Sequence, residues 1–180
     1  MKKIPSDFTY SKYGLICRLV EEDDAAFIVK LRTNKKLSRF IHETDNDVEK
    51  QKEWIRDYKK RETEGKDYYF IFLSGDRPVG VIRLYDITED SSTCGSWVCS
   101  EDASVEESLA TSFICTEITE LFEIPSGPFN VSKGNNQVLK FHLRMGAQII
   151  DENEYEYTLM ENREKYNKAK NRFIKLLFNN

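Results

Sequence analysis

Apolar and polar residues change their spacing several times along the chain, and each change marks an element. From Gly14 to Leu19 the two kinds alternate, which predicts a strand. Glu21-Glu22-Asp23-Asp24 then opens a helix, because acids offset the unpaired amides of a first turn and Asp23 or Asp24 can cap it. Phe27, Ile28 and Leu31 give this helix its apolar side. Residues 34–46 are polar and irregular, apart from Leu37 and the pair Phe40-Ile41. A second helix is expected from near Asp47, with Val48, Trp54, Ile55 and Tyr58 on one broad face. The charged run from Arg61 to Glu64, ahead of Gly65, reads as its solvated end.

Tyr68 to Leu73 is an unbroken aromatic and β-branched run, the pattern of a strand covered on both faces. Ser74-Gly75-Asp76-Arg77-Pro78 supplies a turn, and Val79 to Tyr85 returns as the second strand of a hairpin. A loop over residues 86–92 leads to a strand from Cys94 to Cys99. Val105 to Phe122 has helical spacing, with Val105, Leu109, Phe113, Ile114, Ile118, Leu121 and Phe122 on its apolar face. Pro125, Gly127 and Pro128 end it. Phe129 to Val131 is a short strand and Asn135 to Met145 a short helix, with Gly146 placed as its left-handed C′ residue. Strands at Ala147 to Ile150 and Tyr155 to Leu159 precede a last helix, Arg163 to Leu177. Residues 1–13 are expected to form an irregular arm, and residues 14–180 a single domain that includes the C-terminal helix. The order predicts an α/β (α+β) fold: a mixed, mostly antiparallel sheet of about seven strands flanked by helices.

Composition narrows the functions open to such a fold. Hydrophobic residues at 39% and charged residues at 32% are a foldable balance. The net charge of −4, with mixed signs, argues against nucleic acid as the main partner, since phosphate binding needs a basic surface. The longest apolar run, Tyr68 to Leu73, is far short of the roughly 20 residues of a membrane span. The lysines at positions 2 and 3 have no apolar core behind them, so no secretory signal and a cytoplasmic setting are expected. Cys17, Cys94, Cys99 and Cys115 form no Cys-x-x-Cys pair and lie far in sequence from His42 and His142, so no metal site is expected and the thiols read as reduced.

The segment from Asn135 to Ala147 carries an Asn, a Gly eleven positions later at 146, and a ring-bearing residue, His142, four before that Gly. It resembles the late segment of the GNAT acetyltransferases. The acidic helix start at 21–24, the strand ending Arg83-Leu84-Tyr85-Asp86-Ile87, and Gly95-Ser96-Trp97-Val98 fit the same family. The last of these resembles the branch containing ribosomal-protein and amino-sugar acetyltransferases. The likeness spans roughly residues 14–160. One part departs from it. The family's Arg/Gln-x-x-Gly-x-Gly/Ala loop is replaced by Ser100-Glu101-Asp102-Ala103-Ser104-Val105-Glu106-Glu107-Ser108. Ala103, Ser104 and Ser108 are small and still let a backbone approach a diphosphate at the helix start by Val105, whereas Glu106 and Glu107 either repel it or simply offset the helix dipole.

The resemblance implies acetyl transfer from acetyl-CoA to a primary amine by direct attack in a ternary complex. A small amine is expected, an amino sugar or nucleotide-linked amino sugar first and a protein N-terminus second. The chain would act as monomer or homodimer. Such chemistry needs a deprotonated amine, a donor for the developing oxyanion, and an acid for the departing thiolate. By the same resemblance, backbone groups of Trp97, Val98 and Cys99 would pair with the pantetheine arm, with Asn135 and Phe141 further along it. His142 either protonates the thiolate or only packs inside its helix; Asn135 is equally a helix cap. Asp86 or Ser96 would serve as base, or else as turn-former and satisfied hydroxyl. His42, Arg83 and Tyr85 are the acceptor-side candidates, with an exposed loop histidine and a solvated edge arginine as the plainer readings. Two other classes compete: a binding or regulatory module that has lost the reaction, and a structural interaction domain.

Overall fold

The structure, a computed structural model, describes residues 1–41 and 44–178. The chain packs as two compact units, Met1–Pro125 and Ser126–Asn180.

In the first unit, alternation places Leu15, Cys17 and Leu19 inward on strand β2 (Leu15–Leu19). Tyr13 and Gly14, both at positive φ, turn the chain back from a strand β1 (Thr9–Lys12) within the stretch expected to be irregular. β1 has little apolar content of its own. Its neighbourhood is anchored from far along the chain: Tyr10, Lys12 and Tyr13 all donate to the carboxylate of Glu117, at 3.0, 2.9 and 2.7 Å.

The acidic turn at 22–24 leads into α1 (Ala25–Thr33). Asp24 is bound bidentately by Arg18 at 2.7 and 2.8 Å, and it accepts the Glu21 amide at 2.8 Å. The longer α2 (Val48–Glu64) starts where Asp47 accepts the amides of Glu49 and Lys50, and stops at Gly65, whose φ of +78° suits a residue without Cβ. The run at 61–64 is helix rather than a frayed end. Glu62 is buried there, accepting from Tyr58 and Lys59, and Arg61 reaches Asp67.

The hairpin of β3 (Tyr68–Ser74) and β4 (Arg77–Tyr85) turns through Gly75 and Asp76, and β5 (Thr93–Cys99) follows. The sheet order is β1-β2-β3-β4-β5, antiparallel throughout. Tyr68 to Phe72 are all buried, as a strand covered on both faces requires. Tyr69, Ile71, Val81 and Val98 meet Ile28, Leu31, Ile55 and Tyr58 of α1 and α2. α3 (Val105–Leu121) packs against β1, β2 and β4 through a buried row that includes Ala110, Phe113, Ile114 and Ile118. Val105 and Leu121, expected on that face, are exposed because each lies at an end of the helix, beyond the packed stretch.

The second unit has β6 (Phe129–Ser132), α4 (Asn136–Arg144), β7 (Gln148–Glu152), β8 (Glu156–Met160) and α5 (Arg163–Leu177). Its sheet runs β6-β8-β7, again antiparallel, so the eight strands among the described residues form an α+β fold with two sheets. Val131, Ala147 and Leu159 are its buried cluster, with Phe129, Val138, Leu139 and Tyr157 around them. Gly146 closes α4 as anticipated: its amide bonds Leu143 O, that of Ala147 bonds His142 O, and φ is +95°. A Cβ there would fall 2.4 Å from that of Lys165. Asn162 caps α5, and Lys170 is buried although its helix is rich in lysine and arginine.

Candidate functional site

β5 is an edge strand of its sheet, so one side of its backbone has no partner strand there. It is also bent. Val81 pairs with Val98 and Arg83 with Gly95, leaving Ile82 opposite both Ser96 and Trp97. Ser96 takes a φ of +51°, uncommon for a residue with a side chain, and the result is a β-bulge. Arg32 of α1 reaches this bulge: Nη1 stands 3.4 Å from Ser96 Oγ, and Nε donates to Thr44 Oγ1 at 2.5 Å.

Side chains of the strand, whose other edge pairs with β4, fasten it to α3. Trp97 Nε1 donates to Thr111 Oγ1 at 2.9 Å, and Cys99 Sγ lies 3.9 Å from the same oxygen. Thr111 in turn donates to Ser108 O. The bulge and the first turns of α3 are therefore held as one piece. Burial pushes the Cys99 thiol up, so it stays protonated and is no nucleophile.

α3 opens with a capping box. Ser104 Oγ accepts the Glu107 amide at 3.1 Å, and Glu107 accepts the Ser104 amide at 2.9 Å. Ser108 Oγ donates to Ser104 O, and the Ala103 amide bonds Ser100 O. The amides of Val105 and Glu106 have no hydrogen-bond partner among the described residues. The acids of this loop are mostly paired. Glu101 meets Lys36 at 3.3 Å, and Arg77 meets both Asp102, at 3.5 Å, and Glu107. The Ser104 amide and Arg77 hold the Glu107 carboxyl below the usual range. Glu106 is exposed and has no ion-pair partner among the described residues. A cavity of about 320 Å³ lies beside the loop, lined in part by Lys30, Asn34, Arg77, Ser100 and Asp102.

Of the acceptor-side candidates, Arg83 is neither solvated nor free. Its Nε and Nη2 grip the buried Asp67 at 2.8 and 2.5 Å, and Arg61 adds a third bond at 2.9 Å. The guanidinium stacks over Trp54 and Tyr85, at 5.0 and 4.9 Å. Tyr85 is half-buried against Gly95. Asp86 is exposed at φ +52°, the geometry of a turn. His42 lies outside the described residues.

In the second unit, Asn135 occupies the N-cap position of α4, but its side chain makes no capping bond. His142 rests 4.6 Å from the Phe129 ring and 5.1 Å from that of Phe141. Burial lowers its pKa to about 4, so the ring is neutral at pH 7. The structure thus gathers Ser96, Trp97, Val98 and Cys99 beside Ala103, Ser104, Val105 and Ser108, and separately gathers Phe141 and His142. Four residues of the first-unit site escaped the sequence reading: Arg32, Asp67, Arg77 and Thr111.

A bent edge strand, open along one side and joined by a short loop to a capped helix start, can take an extended, amide-bearing ligand along its edge and an anion at its end. Such an arrangement belongs to a class of transferases that handle long acyl carriers. Residues 15–148 match the acetyltransferase (GNAT) domain family, and the chain belongs to that family. Among solved structures, apo FdhC, a nucleotide-linked sugar GNAT, is 37% identical, with 95% of this chain and 99% of that chain covered and a TM-score of 0.82. A ribosomal-protein-S5-alanine acetyltransferase from Vibrio fischeri shares the fold at 13% identity, with 85% and 94% covered and a TM-score of 0.70. So does spermidine N-acetyltransferase from Vibrio cholerae, solved with CoA and spermine, at 14% identity, 86% and 99% covered and a TM-score of 0.70. No curated protein is similar enough in sequence to match the chain. Among the described residues, no helix is long and apolar enough to cross a membrane, and no cluster of metal-ligating side chains occurs.

Proposed function

We propose that this protein moves an acetyl group from acetyl-CoA to the primary amine of an amino sugar carried on a nucleotide. The observation that carries this reading is the 37% identity, across nearly all of both chains, to a nucleotide-linked sugar GNAT.

The residues present fit acetyl-CoA as a ligand, since an open strand edge is joined to a helix start with two unpartnered amides. When bound, acetyl-CoA supplies the acyl group as a thioester. Backbone groups along Trp97, Val98 and Cys99 hold the amide-bearing arm, and an amide on the open edge of this strand, at Val98 or a neighbour, polarises the thioester carbonyl. Ala103, Ser104, Val105 and Ser108 present the helix start to the diphosphate. His142, in the second unit, is neutral at pH 7 and keeps one ring N–H to donate, so as an acid it would offer a hydrogen bond rather than a full positive charge. Asp86 takes the amine's proton, or Ser96, held by Arg32, relays it to solvent, and Tyr85 and Arg83 border the acceptor. A binding module without turnover is the second reading, favoured by the uncompensated Glu106 at the helix start.

Release of free thiol from acetyl-CoA, followed against a panel of amines, tests the assignment. Turnover is expected with nucleotide-linked amino sugars, and much less with free amino sugars, polyamines or peptide N-termini. Turnover confined to peptide N-termini would move the substrate class, and none with any amine would favour the silent module.

A further inference from the structure

The loop ahead of α3 poses an electrostatic problem. Glu101, Asp102, Glu106 and Glu107 crowd the place where, on the reading above, a diphosphate must land. Like charges at such range oppose binding by about 1 kcal/mol each near a protein surface, equivalent to several-fold in affinity. Yet two of the four meet one guanidinium. Arg77, the first residue of β4, directs Nη1 to Asp102 and Nη2 to Glu107. A planar fork can serve two carboxylates in this way, where a lysine would offer a single point charge. The same Glu107 closes the capping box through Ser104, so Arg77 also fixes the helix's first turn.

We propose that Arg77 is the positioning residue that makes this acidic loop receptive to the diphosphate of CoA, taking over the part that small residues play in a glycine-rich loop. Its one positive charge offsets half of the charge of Asp102 and Glu107, and it holds both side chains, so the amides of Val105 and Glu106 stay open to an anion. The inference rests on the acetyl-CoA reading. It adds a residue of this chain that lies on a different strand from the loop and more than 20 positions before it.

The test is titration calorimetry with CoA and with pantetheine, which has the same arm without the diphosphate. Arg77→Met should weaken CoA binding about tenfold, and less as salt is raised, while pantetheine binding holds. Adding Asp102→Asn and Glu107→Gln to Arg77→Met should bring CoA affinity back to within about twofold, because glutamine keeps the capping box. With Arg77 intact, Asp102→Asn plus Glu107→Gln should tighten CoA binding several-fold. This second variant serves even if Arg77→Met does not fold. Equal CoA affinity in Arg77→Met, a parallel loss for pantetheine, or no gain in the variant that keeps Arg77 would overturn the proposal. A wild-type protein that binds no CoA at all would instead remove the reading on which it rests.

Discussion

The two units answer the same problem, how to cover a sheet, in opposite ways. In the first, every residue from Tyr68 to Phe72 is buried, with α1 and α2 on one face and α3 on the other. In the second, every residue of β7 is exposed, Ile149 and Ile150 included, and the buried apolar residues are few: Val131, Ala147 and Leu159 in one cluster, with Met145 and Tyr166 besides. Coverage on both faces fixes side chains in place. It lets the first unit carry a strained bulge at Ser96 and a buried ion pair at Asp67, both costly to hold. The second unit offers its candidate chemistry, His142, on a small helix packed by two aromatic rings.

This contrast can be broken at several points. Phe70→Ala in the doubly covered strand should cost about 4 kcal/mol, and Leu159→Ala in the thinner core about 2 kcal/mol, read by urea unfolding. Equal losses would mean the cores are of one kind. Asp67→Ala should cost about 3 kcal/mol, because the guanidinium groups of Arg83 and Arg61 lose their buried partner. Asp67→Asn should recover part of that loss.

His142 should show a smaller, pH-dependent effect. Its folded pKa of about 4 lies below the ordinary 6.5. The neutral ring's contribution is therefore whole above about pH 6.5, shrinks as the unfolded chain takes up a proton, and is lost as pH falls through about 4. Between pH 7 and pH 5 the wild type should lose on the order of 1–2 kcal/mol more than His142→Phe. A proton NMR titration of the ring showing a midpoint near 6.5 would contradict the burial. At the small end, Ile150→Thr on exposed β7 should change stability by less than about 0.5 kcal/mol.

Local signals in the sequence specified most elements. Asp47 and Gly65 mark the two ends of α2, Gly146 ends α4, and α5 spans Arg163 to Leu177 as its spacing indicates. What escaped was held by distant partners. β1 depends on Glu117, over 100 residues away, and no local pattern of Thr9 to Lys12 announces that. The run at 61–64 looked solvated because Tyr58 and Asp67, which bury or pair its charges, are recognised only once the helix is set against β3. For the site, the strand from 94 to 99 and the helix start at 104 were legible, but the bulge at Ser96 and the pairing of Arg77 were not. A bulge is a misfit between two strands, and an ion pair across a sheet end leaves no spacing to read.

Hydrogen–deuterium exchange with and without acetyl-CoA tests the central claim most directly, since that claim assigns the ligand to backbone groups. Added acetyl-CoA should slow exchange at Ser96 to Cys99 and at Ser104 to Ser108, with little change along β1 and β2. Unchanged exchange in both segments at millimolar acetyl-CoA, or protection confined to other parts of the chain, would contradict it.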